Sequence, residues 1–180
     1  LWGVMHNGVV LNPKAIEAVD QLKKNLKKIV FLSNAPRPSS KVISFLLKMK
    51  MDKKFLENVM TSGEAAMHAI NQKKFGKTFF HLGPERDISV FEKVKDNRTD
   101  LDSCDFILCT GLFDDYDDDL DYYKKFLLKH ISKKLICTNP DLIVHRGNME
   151  ELCAGSVAQV FEELGGEVIY FGKPHKDIYN

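Results

Sequence analysis

A hydroxyl and a lysine, each placed directly after a short apolar run, are the residues of this sequence best suited to chemistry. Ser33 closes the run KIVFLS and is followed by Asn34; Lys173 follows the run EVIYFG and precedes Pro174. In open parallel sheets chemistry gathers in the loops beyond the carboxyl ends of strands. A hydroxyl after one strand and a lysine after another is a phosphate-handling combination. The hydroxyl and adjacent loop amides hold phosphoryl oxygens, and the ammonium neutralises charge on nucleophile and phosphate. Two other strand ends, Gly3-Val4-Met5-His6-Asn7-Gly8 and Thr138-Asn139-Pro140-Asp141, complete the set. Taken singly, neither residue is specific, since a strand-end Ser is more often a helix cap and a strand-end Lys more often solvated. Among 26 basic residues only Arg37, Arg86, Arg98 and Arg146 are arginines, the side chain suited to bidentate contact with an oxyanion.

Positioning such residues requires strands alternating with helices, and the pattern of apolar residues predicts them. Residues 1–5 read as the end of a buried strand, and His6, Asn7 and Gly8 as a turn. Asn12 caps a helix with Pro13 at its first position, and Ile16, Val19, Leu22 and Leu26 recur at helical spacing. A strand follows at 28–33, a loop at 34–40, a helix carrying Val42, Phe45, Leu46 and Met49, a short strand or entry loop at 59–62 and a helix from Gly63 to Ile70. The pattern then continues with strands at 78–83, 105–111, 134–139 and 167–172. Between them are helices at 85–94, 117–129 and 154–164, with polar loop at 95–103 and loop again before residue 154. Alternation of this kind predicts an α/β fold with a parallel sheet and right-handed crossovers. No fixed-period repeat interrupts it.

Composition narrows the function classes. The chain has 180 residues, 44% hydrophobic and 28% charged, with a formal net charge of +1. That mix excludes a disordered or collagen-like chain and supplies no broad basic field for nucleic acid. Cys104, Cys109, Cys137 and Cys153 form no CxxC pair and no zinc spacing. They read as small buried hydrophobes in a reducing compartment. No apolar run approaches the ~20 residues of a membrane span, and LWGVMHNGVV lacks the basic start of a signal peptide. The expected setting is cytoplasmic, with neither membrane nor nucleic acid as partner. The Asp run at 114–121 lacks the central Gly and closing Glu of a calcium loop and reads as a solvated helix start.

Together LWGVMHNG, FLSNAPR, TNPD and FGKP resemble the haloacid dehalogenase superfamily of aspartate-nucleophile phosphatases, subclass IIA, the NagD-like group. The resemblance runs over essentially the whole chain and implies a Rossmann-like core with an inserted α/β cap. The expected division is a discontinuous core at 1–61 and 139–180 with the cap at 62–138. Ser33 matches the second-motif hydroxyl and Lys173 the third-motif lysine, both catalytic; Asn34 and Arg37 fall on the loop that faces the substrate phosphate. The implied substrate is a small phosphorylated metabolite, the cofactor Mg²⁺, and the assembly a possible homodimer. The nucleophilic Asp is expected just before Leu1 and the acidic fourth motif after Asn180. The 180 residues are therefore expected to be an inactive piece of a longer protein. Trp2, whose main-chain carbonyl is a candidate metal ligand, stands where the family usually carries its general-acid Asp. An indole cannot shuttle protons at neutral pH. His6 is an alternative acid by chemistry, or simply a turn residue packed on the sheet end. Asp141 organises the return from cap to core or touches substrate, and Arg146 is an exposed arginine within reach of an anionic substrate. A non-catalytic relative that binds a phosphorylated ligand or a protein partner stays open beside the phosphatase. A nucleotide-binding Rossmann domain does not, for lack of GxGxxG.

Overall fold

Two parallel sheets, separate in space, carry the strand ends. The computed structural model describes residues 1–179, Asp177 in its backbone alone. In the first unit, α1 (Pro13–Lys24) begins as its sequence predicts: the Asn12 side chain accepts from Lys14 N, and Pro13 occupies the first turn. The strands β1 (Phe31–Ser33) and β2 (Val59–Thr61) pair in parallel, with Ser33 opposite Thr61, and α2 (Ser39–Lys48) connects them. Leu1, Met5, Val19, Leu46, Met51, Phe55 and Leu56 form the core of this unit.

The second sheet has four parallel strands in the order β3 (Phe79–Leu82), β4 (Phe106–Cys109), β5 (Lys134–Cys137) and β8 (Glu167–Tyr170). Helix α3 (Ser62–Asn71) packs on one face; α4 (Leu120–Leu127) and α5 (Ala154–Glu163) pack on the other. The alternation of side chains along a strand explains why the sheet is apolar on both sides. Phe106 and Leu108 join Ala66, Met67, Ile70 and Phe91, while Ile107 and Cys109 join Val157, Phe161, Tyr123 and Leu127. Between β5 and α5 lies an antiparallel hairpin of β6 (Ile143–Arg146) and β7 (Met149–Leu152). Among the described residues no helix is long and apolar enough to cross a membrane.

The α/β class and the parallel pairing agree with the sequence. The division between units does not fall at residue 139: β8, assigned to the outer unit, hydrogen-bonds along its length to β5. Its pattern requires this, because Val168 and Tyr170 pack toward one apolar cluster and Ile169 toward the other, so both faces need cover. The turn that follows β8 and the loop that follows β5 both return to the end of β1. Residues 1–5 form a turn rather than a strand, since Gly3 takes φ +76° and the amides of Val4 and Met5 both donate to the Leu1 carbonyl. The strand expected over 28–33 contracts to its last three residues, and the helix expected over 85–94 is two short 3-10 helices, Glu85–Val90 and Glu92–Asn97, parted at Phe91, the second kinked at Val94. The loop expected before residue 154 contains the β6–β7 hairpin. Within the Asp run, Asp119 is the cap of α4, accepting from Tyr122 N at 2.9 Å. All four cysteines are buried and free, and burial pushes the thiols of Cys109 and Cys153 up to about 12.

One buried side chain in β3 makes stability depend on pH. His81 is 1% exposed; its Nε2 pairs with Thr110 Oγ1 at 2.9 Å and its Nδ1 has no partner among the described residues. Burial, then the nearby Arg98, lower its pKa to about 4. The unfolded chain therefore binds a proton between about pH 6.5 and 4 that the folded chain refuses. Stability present above pH 6.5 falls as the pH drops through this window, by at most about 3 kcal/mol. Urea unfolding at pH 7 and 4.5 is expected to show a smaller difference in His81→Phe than in the parent.

Candidate active site

The loops that leave β1, β5 and β8 meet, and the Asn34 amide joins them. Asn34 Oδ1 accepts from the Lys173 amide at 2.7 Å, while Nδ2 donates to the Lys173 carbonyl at 3.1 Å and to Asp141 Oδ1 at 2.8 Å. Residues 139 positions apart in sequence are thereby held in contact. Gly172 permits the approach: at φ +123°, a Cβ there would lie 2.8 Å from Asn34 Oδ1 and 2.7 Å from Pro140 Cδ. The Lys173–Pro174 peptide is cis.

The loops after β1 and β5 are each fixed by a helix start behind them. Gly63 at the start of α3 sits where a Cβ would collide with the Pro36 carbonyl; its amide donates to Ala35 O at 3.1 Å, and Ser62 Oγ donates to the same oxygen at 2.9 Å. Gly155 at the start of α5 lies equally close to the carbonyls of Pro140 and Asp141. Ser33, buried at the end of β1, accepts from Ala35 N at 3.3 Å. That bond leaves its own O–H free to turn toward an oxyanion. Leu1 is buried, in one apolar cluster with Met5, Val19 and Leu46.

The structure thus brings Ser33, Asn34, Lys173 and Asp141 together. Both amide hydrogens of Asn34, expected to face phosphate, are engaged by Lys173 and Asp141, so this side chain orients the lysine segment. Arg37, expected beside it, donates from Nε to the buried Asp87 carboxylate at 2.8 Å. Trp2 Nε1 donates to the His145 carbonyl at 2.9 Å. His6 is buried between Trp2 and Phe45, accepts from Gly8 N through Nδ1 at 3.1 Å, and has its pKa lowered chiefly by burial. These are the contacts of a packed turn residue. Sequence reasoning missed Asp87, which lies in a segment read as ordinary helix and carries no motif. Among the described residues no group of three or more His, Cys, Asp or Glu is placed to hold a metal ion. A surface cleft of about 510 Å³ beside α1, lined by Ile16, Asp20, Met51 and Lys54, contains none of the strand-end residues.

Comparison with known proteins shows the family and the fold. The family model described as haloacid dehalogenase-like hydrolase matches residues 1–95, more than half of the chain. The chain belongs to that family. A haloacid dehalogenase-like hydrolase from Brucella suis 1330 superposes with a TM-score of 0.91 at 30% identity, over 99% of this chain and 66% of that one. A 4-nitrophenylphosphatase from Thermotoga maritima gives 0.70 at 25% identity, over 99% and 68%. A putative nagD protein gives 0.70 at 26% identity, over 99% and 70%. This last likeness accords with the NagD-like subclass. The chain thus spans about two thirds of the length of these structures. None of the curated proteins matches it.

Two substitutions probe the junction. Asn34→Ala removes three hydrogen bonds, one to a carboxylate, and is expected to lower stability by about 2–4 kcal/mol in urea unfolding. Arg37→Ala leaves the Asp87 carboxylate buried without its partner. The expected cost is about 2 kcal/mol, below the ~3–5 of a fully buried pair, because the arginine is 46% exposed.

Proposed function

We propose that the whole protein is a phosphatase of small phosphate monoesters working through an aspartyl-phosphate. The observation that supports this reading is the Asn34 bridge, which ties the loop after the buried Ser33 to the main chain of Lys173, 139 residues away. The resemblance assigns the attacking carboxylate to an Asp directly before Leu1. Ser33 then donates to one transferring oxygen, and Lys173 neutralises charge that builds on the phosphoryl group. The likeness to a 4-nitrophenylphosphatase supports the same reaction class. Mg²⁺ is the cofactor proposed for the whole protein; the described carboxylates do not form its site. Its setting is proposed as cytoplasmic.

Trp2 at the usual acid position favours esters whose leaving group departs without a proton. Loss of a general acid typically costs about 10²- to 10⁴-fold, so an aryl phosphate is expected to outpace a sugar phosphate by a factor in that range. The assay uses full-length protein with 4-nitrophenyl phosphate and glucose 6-phosphate, first with Mg²⁺ and then with chelator. Lys173→Ala is expected to lower kcat by about 10²- to 10³-fold. Equal rates on the two esters refute the leaving-group argument. No metal-dependent turnover across a broad ester panel favours instead a binding protein for phosphorylated ligands.

A further inference from the structure

Trp2 sits where a proton donor is expected, and its contacts describe a different task. Besides the bond from Nε1 to the His145 carbonyl, its ring faces the Arg146 guanidinium at 5.5 Å, within range of a cation–π contact. Gly8, at φ +87°, lies so near the ring that a Cβ there would come within 2.6 Å of the indole carbons and 3.4 Å of Arg146 Cγ. One step further round the hairpin, Gly147 N donates to Asn7 O at 3.2 Å. The tip of the β6–β7 hairpin and the turn at residues 2–8 are therefore closed on each other, with the indole at the centre.

The hairpin has little else to hold that tip. Its strands are mostly exposed, Met149 at 68%. Arg146 is fixed within the hairpin by two bonds to Glu151, at 2.8 and 3.3 Å, so the face it turns to Trp2 is set in advance. At its foot, Leu142 O accepts from Cys153 N and Ser156 Oγ. The hairpin springs directly from Asp141, whose carboxylate belongs to the Asn34 junction. A lid rooted in the site and clasped beside it bears on what can enter.

We propose that Trp2 is a positioning residue that clasps the β6–β7 hairpin beside the Ser33–Lys173 site, so that the hairpin limits the size of the leaving group. The consequence for ester choice rests on the phosphatase reading; the clasp itself does not. In full-length protein, Trp2→Phe keeps an aromatic ring and removes the N–H. Hydrogen exchange of the amides at 143–152 is expected to quicken about five- to tenfold, as for loss of one neutral hydrogen bond, and more in Trp2→Ala. Loosening the hairpin is expected to raise kcat/KM for 1-naphthyl phosphate relative to phenyl phosphate several-fold, whereas a general folding defect lowers both alike. Exchange at 143–152 no faster than in the parent overturns the proposal, and so does faster exchange with an unaltered ester ratio. Exchange needs no turnover, so a protein without phosphatase activity refutes the functional reading while exchange still decides the clasp.

Discussion

Everything near the candidate site hangs on one primary amide. Asn34 uses an oxygen and both hydrogens to hold the main chain of Lys173 on two sides and the Asp141 carboxylate on a third. An amide is suited to this because it is donor and acceptor in one rigid plane; neither Asp nor Leu of similar size offers both. The bond to a carboxylate is charge-assisted and fixes which end of the amide is nitrogen. The remaining features serve that contact. Gly172 lets the lysine segment approach, Gly155 seats the Asp141 loop on α5, and Gly63 seats the Asn34 loop on α3.

Much of the fold was legible because strands buried on both faces leave an unambiguous apolar run. FILC in β4 and LIC in β5 could be placed by composition alone, and the cap of α1 by Asn12-Pro13. What sequence does not state is which strands share a sheet. EVIY stands beside the lysine and was grouped with it, yet hydrogen bonding to β5 is decided by faces that need covering on both sides, a property of the assembled layers. The hairpin at 143–152 did carry a signal, a Gly147-Asn148 pair between two four-residue segments, but its charged and exposed residues hid the strands.

The site was legible in residue type and less so in role. Ser33 and Lys173 announced themselves by position after apolar runs, and the structure joins their loops. Asn34 and Arg37 were read as ligands of phosphate because their loop faces it in similar proteins. Their hydrogen-bond partners, Lys173, Asp141 and Asp87, come from segments whose nearness depends on tertiary structure. Membership in the haloacid dehalogenase-like hydrolases accounts for the strand-end motifs; the pairing of Arg37 with Asp87 is a property read from this chain's own geometry.

The chain passes into the four-stranded unit at Thr61–Ser62 and returns from it at Phe171–Lys173, and both crossings are tied to one short segment after β1. Ala35 O accepts from Gly63 N and Ser62 Oγ on the way in, and Asn34 Oδ1 accepts from Lys173 N on the way out. The way in and the way out thus share a single latch, two residues long, next to Ser33.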